Sequence, residues 1–302
     1  MMQMKKKTTR FLSIFSILIA VGLLILPQES LSQSTKSFLW KVQSKANTVF
    51  VLGSIHYLKK EVYPLNEKIE KAFDQADILV VEANINDTGK VDTQKLVESA
   101  LYLDEETLEK HVSAQTYGLV KKELERLGVP LELIGKQKPW FLALTLASLE
   151  IVKLGFDPNY GIDRYFLSKA EGKKKILEME SFDYQINLFC QLTEKEQELL
   201  LLYTLKDIKV LEQELDKLVQ AWTSGDTKGM ESIITKSVSE DKRLSPIYDK
   251  FIYERNRNMV SKIEDYLKTK ETYFVIVGAG HLVGNQGIIE ILKGKGFLIE
   301  QL

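Results

Sequence analysis

Two of the three histidines in this 302-residue chain end the same local pattern. "TVFVLGSIH" runs to His56 and "TYFVIVGAGH" to His281: an apolar, β-branched run, then Gly, two small or apolar residues, then His. Two more apolar runs end in carboxylates, "DILVVE" at Glu82 and "KILEME" at Glu180. Two imidazoles and a carboxylate are an ordinary donor set for a divalent ion with open positions, and a second carboxylate beside them is a general acid or base. Each residue alone has a plainer reading, as a hydrogen-bonded packing histidine or a solvated, helix-capping glutamate. The repeated Gly-x-x-His in so histidine-poor a chain, beside two strand-end glutamates, points instead to one shared site. His111, in the charged stretch "LEKHVSAQ", reads as a surface residue.

Such side chains need a sheet to carry them. "SFLWKV" and "TVFVLG", joined by the polar "QSKAN", read as a hairpin. "VYPLNEKIEKAFDQA" has apolar residues at helical spacing, with Pro64 suited to a first helical turn. "DILVVE" is then a short buried strand, so strand, helix and strand form a βαβ unit with parallel pairing. His56 and Glu82 are expected at the C-terminal ends of neighbouring strands, where open α/β sheets bind ligands. Helical spacing dominates about 93–155 and 190–265, and "TYFVIVG" and a short final strand close the chain. The expected fold is α/β: a central, mostly parallel mixed sheet flanked by helices, with those two stretches as large helical insertions in a single domain over 33–302. No repeat of 20 to 50 residues is present.

The first residues combine a basic segment (Lys5, Lys6, Lys7, Arg10), an apolar run Phe11 to Leu26, Pro27, and Ser30 and Ser32 at small-residue cleavage positions. This predicts a secretory signal over 1–32 and an exported, periplasmic or secreted protein. An uncleaved membrane anchor is the competing reading, although sixteen apolar residues make a helix of about 24 Å, short of a roughly 30 Å hydrocarbon core. Without 1–32 the chain has 37 Lys and Arg against 41 Asp and Glu, a net charge of −4, which is no nucleic-acid footprint. Membrane association is expected only through the leading segment, and oligomeric state is not legible. The lone Cys190 forms no intramolecular disulfide and reads as a small buried apolar residue.

In order, "FLWKV", "TVFVLGSIH", "DILVVEAN", "PWFLALTL", "GFDPNYGIDRYFLSKA", "KILEMESFDYQ", "ERNRNM" and "VIVGAGHLVGNQGIIEILKGKGF" resemble the TraB/GumN family, relatives of the Tiki metalloproteases, across nearly the whole chain after residue 32. The resemblance implies a fold shared with erythromycin-esterase-like and ChaN-like proteins. It also implies a divalent-metal site built by the two Gly-x-x-His motifs, with manganese or cobalt preferred and zinc as a further option. The family's strand-end glutamate falls on Glu82, its Glu and Gln five residues apart on Glu180 and Gln185, and its Arg-Asn on Arg255 and Asn256. Family activity in the Tiki branch is peptide-bond hydrolysis.

The expected function is an exported metal-dependent hydrolase with a peptide or protein substrate. His56, Glu82 and His281 hold the ion, Glu180 acts as base, and Arg255 meets the developing negative charge. On sequence alone Glu82 and Glu180 are exchangeable between ligand and base. Arg255 lies in an amphipathic helix, where an Arg is ordinarily solvated, and Asp163 reads first as a helix cap, second as a partner for a ligand histidine. The alternatives are a protein that sequesters metal, haem or peptide without turnover, and an esterase-like hydrolase of a small molecule.

Overall fold

A computed structural model describes residues 36–87 and 92–302. The expected signal over 1–32 lies outside the described residues. Among the described residues six strands form one sheet: β1 (Leu39–Gln43), β2 (Thr48–Ser54), β3 (Ile78–Val81), β4 (Lys175–Glu178), β5 (Tyr273–Gly278) and β6 (Leu298–Gln301), in spatial order β4-β3-β5-β2-β1-β6. β2, β3, β4 and β5 are mutually parallel, and β1 runs antiparallel to both β2 and β6. The α/β class and the mostly parallel mixed sheet are as the sequence implies.

The strand sequences explain their places. β3 ("ILVV") is buried at every residue and β5 ("YFVIVG") at all but its last, as strands covered on both faces must be. β1 and β6 alternate in burial, which suits the half-covered side of the sheet. One expectation is corrected: β2 and β3 are not neighbours. β5 lies between them, in register with Val49–Ser54 on one side and Ile78–Val80 on the other. Both β3 and β5 are continuously apolar, so composition does not rank them, and with β5 between β2 and β3 His281 is delivered between the ends that carry His56 and Glu82.

Helices cover both faces of the sheet. Ile69, Ala72 and Phe73 on the helix Glu67–Gln75, Ile162, Phe166 and Leu167 on Ile162–Ala170, and Met259, Val260 and Ile263 on Glu254–Tyr266 join the strands in one core. The helix after β2 starts at Glu67 with the Asn66 side chain accepting from Lys68 N–H, so Pro64 precedes the helix rather than sitting in its first turn. Helices between residues 93 and 153 build a second apolar cluster with Leu201, Leu205 and Ile208 of the later helical region, so the two insertions pack on each other. Among the described residues no helix is long and apolar enough to cross a membrane. Cys190 ends a helix and is exposed, contrary to the buried position expected of it. His111 is 21% exposed, stacks on Tyr102 and lies between Glu106 (2.9 Å) and Glu194 (3.0 Å), so it is a fastening between loop and helix more than a free surface group.

Candidate active site

Four strand ends converge. His56 follows β2 by two residues, Glu82 directly follows β3, Glu180 follows β4 by two, and His281 closes a short 3-10 turn, Ala279–His281, after β5. Glu180 N–H donates to the Glu82 carbonyl at 2.7 Å, so the β3–β4 pairing continues one step past the strands and sets the two carboxylates side by side.

Each histidine is held through Nδ1. The Asn256 amide donates to the Gln286 carbonyl (2.7 Å), which turns its oxygen toward His281 Nδ1 at 2.6 Å. That nitrogen must therefore donate, and Nε2 carries the lone pair. It lies 3.7 Å from Glu82 Oε1. Burial holds His281 below its ordinary value, to about 4, against the pull of Glu82 and with the help of Arg255, so the ring is neutral at physiological pH. His56 Nδ1 donates to Asp163 Oδ2 at 2.8 Å. Asp163 caps nothing: the helix it belongs to is capped at Gly161 without a side-chain bond, and its side chain, 8% exposed, serves His56 instead. The Asp163 charge raises His56 to about 9, the opposite direction from His281, although 64% of the His56 side chain is open to water that screens the pair.

Arg255 ties the carboxylates together. It is buried, and its Nε donates to both oxygens of Glu180 (3.0 and 3.1 Å) while Nη2 donates to Glu180 (2.8 Å) and Glu82 (2.6 Å). Nη1 donates to the Phe251 carbonyl at 3.1 Å, which among the described residues leaves one Nη1 hydrogen uncommitted. Gln185 donates to Glu82 (3.2 Å) and Glu180 (3.0 Å), and Gly278 N–H donates to Glu82 Oε1 at 2.5 Å. Burial alone would raise the Glu82 carboxyl, but His281, Arg255, His56 and the Gly278 N–H together lower it to about 2. Of the two carboxylates, Glu82 is the one that closes on His281 Nε2, and Glu180 stands behind it, against Arg255.

In kind the donors suit a divalent ion: two imidazoles oriented by partners on their second nitrogens, and an ionised carboxylate. Ser54, two residues before His56, carries a buried hydroxyl with no hydrogen-bond partner among the described residues. His281 and Glu82 are drawn together, but among the described residues no three His, Cys, Asp or Glu side chains close around a common point. The pairing of Asp163 with His56 is the contact least visible in sequence. Its signal is a carboxylate two residues after a Gly whose added Cβ would overlap the His56 carbonyl, a proximity only the fold reveals.

The fold and these strand ends describe an α/β protein with a histidine and carboxylate cluster at the C-terminal edge of its sheet. The TraB/PrgY/gumN family model matches residues 38–301, and the chain belongs to that family. It is similar to the uncharacterized protein YbaP of Escherichia coli (strain K12), 26% identical over 247 residues that take in 80% of this chain and 87% of that one. It is also similar to the Metalloprotease TIKI1 of Xenopus tropicalis (22% identical, 94% of this chain, 68% of the relative) and to the Metalloprotease TIKI homolog of Amphimedon queenslandica (22%, 88% and 61%). No solved structure matches.

Proposed function

We propose that the chain is an exported, metal-dependent hydrolase of peptides, with His56, Glu82 and His281 as the residues that hold the ion. The observation that carries this reading is the opposed pair of His281 Nε2 and Glu82 Oε1 at 3.7 Å, both turned to each other by partners behind them. Two polar groups held this way bring their lone pairs together, which is unfavourable unless a cation sits between them. The metalloprotease relatives support the peptide as substrate class. A divalent ion, when bound, polarises the scissile carbonyl and makes an attacking water more acidic.

The chain's own groups supply the rest. Asp163 and Asn256 fix the two rings, so no ordering of the imidazoles accompanies reaction. Glu82, facing a histidine, suits the ligand role, and Glu180, facing away from both, suits proton transfer: it takes a proton from water as the C–O bond forms and returns it to the amine nitrogen as the C–N bond breaks. Arg255 orients both carboxylates, and its one spare Nη1 hydrogen is available to negative charge that develops nearby.

A sequestering protein is the second reading, favoured by one observation: every Glu180 oxygen already accepts from Arg255, which weakens it as a base. Elemental analysis of wild type, His56→Ala and His281→Ala after manganese, cobalt or zinc supplementation, and then mass-spectrometric digestion of a peptide library, separates the cases. The hydrolase reading expects stoichiometric metal in wild type, loss in both histidine variants, and metal retained with turnover lowered about 10²- to 10⁴-fold in Glu180→Gln. Absence of metal from supplemented wild type refutes the site. Bound metal and peptide without cleavage transfers the reading to sequestration.

A further inference from the structure

Beside the site, within the helical region 182–253, lies an apolar cavity of about 280 Å³. Cavities of about 150 Å³ lined by aliphatic and aromatic groups stay dry and take up benzene, so this one has room for the largest apolar side chains. Two of its walls come from helical segments that also build the site, and a third packs against the turn that carries His281. Phe189 stands one turn beyond Gln185, whose amide donates to Glu82 and Glu180. Phe251 stands one turn before Arg255, receives its Nη1 at the backbone carbonyl, and packs its ring on Phe189 at 4.6 Å. Ile234, on the helix Thr227–Glu240, lies against Gly280, the residue before His281. A helical turn rises about 5.4 Å, so Phe189 and Phe251 each stand about one turn along the chain from the residue whose side chain holds the carboxylates.

The lining has little to offer a polar guest. Leu200, Val238 and Ile247 complete the aliphatic surface. Three of the four hydroxyls in the lining already donate, Thr204 to the Leu200 carbonyl, Tyr203 to Asp241 and Ser237 to Asp207, and the fourth, on Tyr248, is among the described residues the one polar tip left toward a guest. Asp207, the one carboxylate, is exposed at the rim.

We propose that this cavity is the subsite for a large apolar side chain of the peptide substrate, of the Leu, Met or Phe kind, one or two residues from the scissile bond. The inference rests on the peptidase reading above. An extended peptide advances about 3.3 Å per residue, so a side chain close to the scissile bond is the one suited to a cavity whose walls belong to the helices that carry Gln185 and Arg255. Selectivity follows from size: each methylene accepted or refused by an apolar pocket changes relative rates by about 10- to 200-fold.

The test digests peptides that differ only in one residue near the cleavage position, with manganese or cobalt present, using wild type, Val238→Trp to fill the cavity and Ile247→Ala to enlarge it. Circular dichroism first establishes that each variant is folded. Wild type is expected to favour Phe, Leu or Met at one fixed position. Val238→Trp is expected to lower the Phe-to-Ala rate ratio tenfold or more, and Ile247→Ala to shift preference toward Trp. Should Val238→Trp fail to fold, the Ile247→Ala ratio decides alone. An unaltered ratio in the folded variants overturns the subsite while leaving the peptidase intact. If wild type cleaves nothing, the peptidase reading falls and the cavity is probed by saturation-transfer NMR with N-acetyl-phenylalaninamide: signal that Ile247→Ala changes keeps an apolar side-chain site, and no signal from wild type overturns it.

Discussion

Removing Arg255 is the sharpest perturbation the site permits. Arg255→Met keeps much of the length and packing of the side chain but leaves Glu82 and Glu180, whose side chains are 10% and 7% exposed, as adjacent buried carboxylates with only Gln185 shared between them. Four charge-assisted hydrogen bonds vanish. At about 1.5 to 3 kcal/mol each they sum to more than any native pair contributes net, since desolvation of the ions offsets much of the gain. The expected cost is that of breaking a buried pair from one side, about 3 to 5 kcal/mol. For a protein of this size that lowers the melting temperature by roughly 6 to 20 °C. The double variant Arg255→Met, Glu180→Gln removes the repulsion and is expected to recover at least about 1 kcal/mol. In the single variant one carboxyl is pushed above its ordinary range, so the deficit is largest at neutral pH and shrinks as pH falls through that raised value. Urea unfolding of wild type and the two variants at pH 7 and at pH 5 measures all of this. A single-variant loss under about 1 kcal/mol, or a double variant no more stable than the single, would refute the buried clamp.

Asp163→Asn is expected to return His56 from about 9 toward its ordinary 6.5, monitored by NMR titration of the ring; an unmoved titration removes Asp163 as its cause. Because that pKa is raised in the fold, the His56–Asp163 attraction contributes fully below pH 6.5 and fades as pH rises through about 9. His281 and Glu82 behave oppositely: both are lowered, so their contributions are complete above their unfolded values and are lost as pH falls from 6.5 toward 4 for His281 and from 4.5 toward 2 for Glu82. Acid titration of the unfolding midpoint should fall over the first window in wild type and be flatter in His281→Gln; equal slopes would contradict a buried neutral His281. Gly161→Ala places a methyl on the His56 carbonyl, a backbone atom that cannot turn aside, and is expected to cost about 1 to 3 kcal/mol and shift the His56 ring resonances. A neutral thermal melt with an unchanged His56 spectrum counts against that contact.

Much of the site was legible because its main residues end apolar runs. A run such as "DILVV" or "YFVIV" announces a buried strand by composition, and the residues just beyond its end are delivered to the sheet's carboxyl edge whatever the strand order. The order itself was not legible: periodicity reports that β2, β3 and β5 are buried, not which one is in the middle. Arg255 was singled out only by the family resemblance, for another reason. "ERNRNMVSKIEDY" is a polar helix by composition, and the burial of its Arg and Asn depends on partners 75, 173 and 25 residues away. Asp163 and His56 are likewise 107 residues apart. Polar burial is paid for by pairing, which local pattern cannot see, whereas apolar burial is inherent in residue type. Cys190 failed the other way, because a small apolar residue at a helix end has no obligation to be covered.

The central place of β5 governs the order in which the molecule can be assembled. A chain synthesised from its N-terminus holds β2 and β3 with no strand to join them until residues 273–278 emerge, long after both have been made. Pairings of such long range close slowly. Until then two strands carry unsatisfied inner edges, surfaces prone to pair with other chains. A product truncated before Tyr273 would lack the strand that bridges the sheet as well as His281, so it would have neither a stable core nor a site. Completion of the sheet and the gathering of its histidine and carboxylate ends are thus one event, set by residues 273–281.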